Sequence, residues 1–86
     1  MPPSDDQGEI FPTRMRLRRI DPERNMARFY LMQVQPDLFG GMSLIREWGR
    51  IGSPGRVRVE HHADEGQAVT SLLAMARAKG RRGYGG

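Results

Sequence analysis

Ser43-Leu44-Ile45-Arg46-Glu47-Trp48-Gly49-Arg50-Ile51, the turn Gly52-Ser53-Pro54-Gly55 and the run Arg56-Val57-Arg58-Val59-Glu60-His61-His62 decide how this chain folds. Side chains on a strand alternate between faces, so in the first run Leu44, Arg46, Trp48 and Arg50 share one side while Ile45, Gly49 and Ile51 share the other. In the second, Val57 and Val59 oppose Arg56, Arg58 and Glu60. Two period-two runs flanking a Gly-Ser-Pro-Gly turn predict antiparallel strands over 43–51 and 56–62. Beyond His62 the period changes to 3.6. Asp64 is an N-cap with Gln67 at the capping-box position, Ala68, Val69, Leu72, Leu73 and Ala76 follow helical spacing, and Gly80 stands where a C′ residue with positive φ belongs. One amphipathic helix over 64–79 is expected, with Arg77, Lys79, Arg81 and Arg82 gathered at its C-terminal end, where cations complement the helix dipole.

Upstream, Thr13 to Ile20 alternates Met15 and Leu17 with arginine, giving a strand with one apolar and one basic side. Asp21-Pro22-Glu23-Arg24-Asn25 supplies turn chemistry, and Met26 to Gln35, rich in aromatic and β-favouring residues, completes a hairpin. Pro36 to Gly41 ends that strand. Residues 1–9 combine Pro, Gly, Ser and three acids with no apolar periodicity and read as a disordered acidic tail, with structure beginning near Ile10. Gly83-Tyr84-Gly85-Gly86 reads as a flexible end. The fold class is therefore α+β: a small antiparallel sheet of four strands, strands 13–20, 26–35, 43–51 and 56–62, with one C-terminal helix across one face. Its core is expected to hold Leu17, Leu31 or its neighbours, Ile45, Ile51, Val57 or Val59, Val69, Leu72 and Leu73.

Eighty-six residues make one small domain, 10–86, without separate cofactor and substrate domains. At 37% hydrophobic residues the core is modest, and a large internal substrate cavity is not expected. The absence of Cys excludes disulfides, thiolate metal sites and a Cys nucleophile. The first residues carry no signal-peptide pattern, and the longest apolar run is Leu72 to Ala76, so a cytoplasmic, non-membrane protein is expected. Charge is more informative. Asp5, Asp6 and Glu9 hold three of the ten acids, leaving fourteen basic against seven acidic residues from Ile10 onward, a net of +7. Thirteen of the fourteen basic residues are arginine, the side chain that forks onto phosphate and stacks on flat rings. Nucleic acid is the natural polyanionic partner, with ordinary solubility charge as the alternative.

Catalytic chemistry finds little support. His61 and His62 are adjacent on a strand and point to opposite faces, which disfavours a shared metal. No serine lies in a nucleophile elbow, and Gly49, Gly52 and Gly55 lead into a strand without the Gly-Lys-Ser/Thr ending of a phosphate loop. A non-enzymatic protein without cofactor or metal is expected. The single Trp, between Arg46 and Arg50 on one strand face, makes a flat platform flanked by guanidinium groups, suited to a sugar or base with phosphates beside it. The opposing possibility is that Trp48 packs under the helix. Exposure is favoured by Ile45, Gly49 and Ile51 on the other side, where Gly49 would let the helix approach, although Glu47 on that side conflicts with it.

Trp48-Gly49-Arg50, preceded by Ser43 to Glu47 and followed by Ile51-Gly52, resembles the signature of the WGR domain of poly(ADP-ribose) polymerases and bacterial MolR-type regulators. Asn25 to Tyr30 is similar to the family's Asn-x-x-basic-aromatic-Tyr strand, and Ala68 to Tyr84 to its helix with a terminal Lys and a Gly-aromatic pair. The resemblance spans about residues 15 to 84. It implies a compact antiparallel sheet with one packed helix, and DNA binding near strand breaks, with Trp48 against a sugar at a 5′ end, Arg50 in polar contact and Lys79 as a helix-end contact. Departures are Leu72, Leu73 and Met75 where many members have aromatics, and Ser53-Pro54-Gly55 after Gly52. The chain leaves no room for a polymerase catalytic domain, so ADP-ribosyl transfer is not expected. The residues assigned to a nucleic-acid interface are Trp48, Arg50, Arg46, Lys79, Arg56 and Arg81, with DNA favoured; a protein-interaction or self-association module using Trp48 and the Phe39 loop is the alternative.

Overall fold

The computed structural model describes residues 13–86; the expectation of a disordered tail over 1–9 lies outside them. Strand β1 (Arg14–Asp21) runs into a 3-10 turn (Pro22–Arg24), then β2 (Met26–Pro36), β3 (Met42–Arg50), β4 (Arg56–His62) and helix α1 (Glu65–Arg81). Sheet order follows chain order, β1-β2-β3-β4, and every pair is antiparallel. The first hairpin closes on Pro22, whose fixed φ suits the first helical position, and on Asn25, whose φ of 51° lies in the left-handed region that Asn tolerates. The α+β architecture and all five elements match the sequence reading to within two residues.

Asp64 caps α1, accepting a hydrogen bond from the Gln67 backbone N–H at 2.9 Å. The helix end differs from expectation. Gly80 is helical, α1 continues to Arg81, and positive φ (95°) falls on Gly83, so the chain leaves the helix three residues later than Gly80 implies. Past Gly83, Arg18 and Gly85 exchange two backbone hydrogen bonds of 2.7 and 2.8 Å, which brings the Gly-rich end onto the outer edge of β1.

Side chains cross the sheet in rows fixed by register. Leu17, Tyr30, Trp48 and Arg56 form one row, Met15, Met32, Arg46 and Arg58 the next, then Val34, Leu44 and Glu60. These rows face α1, whose Ala68, Val69 and Leu72 are buried against them. Met32, Leu44 and Leu72 are fully buried, each worth about 1.5 to 3 kcal/mol of transfer free energy.

The faces of β3 and β4 are therefore reversed from the sequence reading. Ile45 lies on the open side and is half-buried, Ile51 is 41% exposed in the turn, and Val57 and Val59 are 60% and 46% exposed on the open face, so none of the four joins the core. Leu17, the neighbours of Leu31 (Tyr30 and Met32), Val69 and Leu72 are in it, with Leu73 packed against its edge. Gly49 does not admit the helix. A Cβ there would meet the Gly55 Cα at 3.0 Å and the Phe29 ring at 3.6 Å, both on the open side. Glu47 also faces the open side, which removes the conflict it posed.

Candidate nucleic-acid interface

Trp48 stands on the helix-bearing face, not on an open platform, and is half-buried. It escapes full cover because it lies toward the C-terminal end of α1. Its ring stacks on Tyr30, centroids 5.7 Å apart and planes at 14°. Tyr84, brought back by the turn at Gly83, meets Tyr30 edge-on at 6.4 Å and 79°. Geometry of this kind satisfies the ring quadrupoles and fixes all three side chains.

Arg46, expected beside the Trp as a phosphate contact, is instead a buried structural residue. Its Nη2 pairs with the Glu60 Oε2 at 2.6 Å, its Nη1 donates to the Tyr30 hydroxyl at 3.2 Å, and its guanidinium carbon is 6.0 Å from the Trp48 ring centroid. Glu60 also accepts from the Ser71 hydroxyl at 3.4 Å, tying β4 to α1. Hence an arginine can occupy a core row: its charge is matched by a carboxylate two strand positions away on the neighbouring strand.

The remaining cations converge. Next to the aromatic row, register places Arg19, Arg28 and Arg50 directly opposite one another on three adjacent strands. One hollow beside Trp48 is lined by Arg19, Arg28, Lys79 and Arg82 together with Tyr30 and Tyr84. A second, on the other side of Trp48, is lined by Arg28, Arg50 and Arg56 with Gly49, Pro54 and Gly55. Trp48 and Arg28 belong to both. No carboxylate lines either hollow, and among the described residues none of these six cations lies within ion-pair distance of an acid. Gly55 keeps the second hollow's wall close, since a Cβ there would strike the Trp48 carbonyl at 2.6 Å.

Lys79 reaches this site because it continues the sheet-facing helical stripe of Ala68, Leu72, Met75 and Ala76 by one more turn. Its ammonium sits 4.6 Å from the Tyr30 ring centroid and 5.7 Å from that of Tyr84. Burial, and then the charges of Arg82 and Arg46, push its pKa below the ordinary lysine value. Arg82 follows Lys79 at helical spacing and shares the hollow, whereas the assigned Arg81 is exposed and lines neither hollow. Of the six assigned residues, Trp48, Arg50, Arg56 and Lys79 come together, Arg46 is diverted to the core and Arg81 is left outside. Arg19, Arg28 and Tyr30 were not assigned; Arg28 could have been found by extending the Asn25 to Tyr30 strand across its register to Arg50.

Fold and site together define a small basic α+β domain with an aromatic cluster ringed by cations. The family model described as "WGR domain" matches residues 13–86. The chain is 48% identical over 73 residues to "Uncharacterized protein y4dW" of Sinorhizobium fredii, an alignment that covers 85% of this chain and 36% of that protein. The chain thus spans about a third of that relative's length. No solved structure matches it. This chain belongs to the WGR domain family, a family of nucleic-acid-binding type. No helix among the described residues is long and apolar enough to cross a membrane.

Proposed function

We propose that the domain is a non-enzymatic, cytoplasmic nucleic-acid-binding module that holds DNA at strand ends or breaks in the two hollows around Trp48. The observation that carries this reading is the row Arg19, Arg28 and Arg50. Like charges directly opposite on a sheet repel, and a row of three without a nearby acid is costly unless an anion supplies the counter-charge. Phosphate does so bidentately. At a strand end the terminal sugar or base lies against the accessible part of the Trp48 ring, while Arg28, Arg50 and Arg56 on one side and Arg19, Lys79 and Arg82 on the other take the flanking phosphates. Continuous duplex offers no terminal ring, which is the source of preference for ends.

A second reading, protein docking, draws support from Leu38 and Phe39, which are 96% and 89% exposed on the β2–β3 loop. The two readings separate in one titration. Trp48 is the only tryptophan, so its fluorescence reports occupancy of the site. Nicked and blunt-ended DNA are expected to change that fluorescence at lower concentration than intact circular duplex, with affinity falling steeply as salt rises. Equal affinity for all three forms removes the end preference, and no binding at low salt leaves the docking reading.

A further inference from the structure

The open face of the sheet carries a second, separate concentration of features. Arg14, Arg16 and Arg18 alternate along β1 and are all exposed on this face, about 6.6 Å apart in sequence steps of two. None has an acid within ion-pair distance among the described residues. Beside them a hollow is floored by Phe29 and Leu31 and bordered by Arg16, Arg18, Glu47 and Ile51. Register explains its lining: Arg16, Leu31, Glu47 and Val57 form one row and Arg18, Phe29 and Gly49 the next. The Phe29 ring is held in place by glycines, since a Cβ on Gly55 would come within 2.8 Å of it.

We infer that this face binds single-stranded nucleic acid, with phosphates along Arg14, Arg16 and Arg18 and a base in the hollow on Phe29 and Leu31. A flat, half-exposed apolar floor beside a line of unpaired guanidinium groups matches the two parts of a single strand, rings on one side and phosphates on the other. Glu47 settles what enters the hollow. A carboxylate repels phosphate there but accepts hydrogen bonds from a base amino group, so cytosine, which presents one, is favoured over thymine, which presents a carbonyl at that position. This site lies on the side of the sheet opposite Trp48 and does not depend on the strand-end reading.

The test uses the purified chain with short oligodeoxycytidylate and oligodeoxythymidylate, read by amide NMR shifts and by affinity. Oligodeoxycytidylate is expected to move the amide signals of Phe29, Leu31 and Glu47 and to bind about tenfold more tightly than oligodeoxythymidylate. Arg16→Gln with Arg18→Gln should weaken it about tenfold, and Glu47→Val should abolish the base preference. Arg58→Gln with Arg77→Gln removes the same charge from exposed positions outside the hollow and serves as the control. Equal losses in the two double variants, or shifts confined to the surroundings of Trp48, overturn the inference while leaving strand-end binding intact.

Discussion

Trp48 and Tyr30 face each other across β2 and β3 with their rings stacked, and this pair joins the core to the cation-lined hollows. The same side chain therefore has a packing role and an exposed edge. Trp48→Ala should lower unfolding free energy by about 2 kcal/mol, below the range for a fully buried aromatic, because the ring is only half covered. Trp48→Phe keeps a stack on Tyr30 and should remain near wild-type stability. In DNA titrations the loss for Trp48→Ala should be about 1 to 3 kcal/mol with the salt slope unchanged, since a neutral contact is removed.

Arg46 and Arg50 lie on the same strand face but have opposite expected phenotypes. Arg46→Ala leaves the partly buried Glu60 carboxylate without its partner and should cost about 3 kcal/mol in chemical denaturation. Arg50→Ala removes an exposed side chain and should stay within about 0.5 kcal/mol of wild type while weakening DNA binding. Comparable stability losses in both variants would contradict the buried-pair assignment.

Leu72 and Ile51 test which face is the core. Leu72→Ala should cost about 2 to 5 kcal/mol, a large share of the stability of so small a domain. Ile51→Ala, in an exposed turn, should cost well under 1 kcal/mol. Denaturant midpoints of the two variants decide the matter.

Asp37 orders the β2–β3 loop and predicts a pH dependence. Its Oδ1 accepts from the Phe39 N–H at 2.7 Å and the Gly41 N–H at 3.1 Å, and its Oδ2 lies 3.5 Å from His61. The Phe39 N–H above all, helped by Gly41 and His61, outweighs the opposing effect of burial and holds the carboxyl below its usual range. A depressed folded-state pKa stabilises the fold above the unfolded value and loses that contribution as pH falls through the folded value. The stability gap between wild type and Asp37→Asn should thus close as pH falls below about 4. A gap that persists undiminished well below about pH 4 would contradict this.

Element order and strand limits were legible in the sequence because they depend on local signals: alternation in Thr13 to Ile20, turn residues at Asp21 to Asn25 and Gly52 to Gly55, and the Asp64 cap. Face assignment was not. In β3, Leu44 and Trp48 on one side balance Ile45 and Gly49 on the other, and the charge that argues against the first side, Arg46, is neutralised by Glu60 on another strand. Only register reveals that pairing, and the orientation of β4 follows from it, turning Val57 and Val59 outward. The site was half legible for the same reason. Trp48, Arg50, Arg56 and Lys79, assigned from the sequence, do converge around the two hollows, but the row Arg19, Arg28 and Arg50 is assembled from three strands and has no signature in any one of them.

Arg28 lines both hollows, so it gives the most direct test that they form one DNA interface. The measurement is the dependence of log affinity on log salt for blunt-ended DNA, for wild type, Arg28→Gln and the control Arg77→Gln. Four to six phosphate contacts predict a wild-type slope of about −4 to −5. Arg28→Gln should reduce the magnitude by about one unit and weaken binding, while Arg77→Gln changes little. A slope that Arg28→Gln and Arg77→Gln alter equally, or not at all, would contradict the assignment of the Trp48 hollows as the binding site.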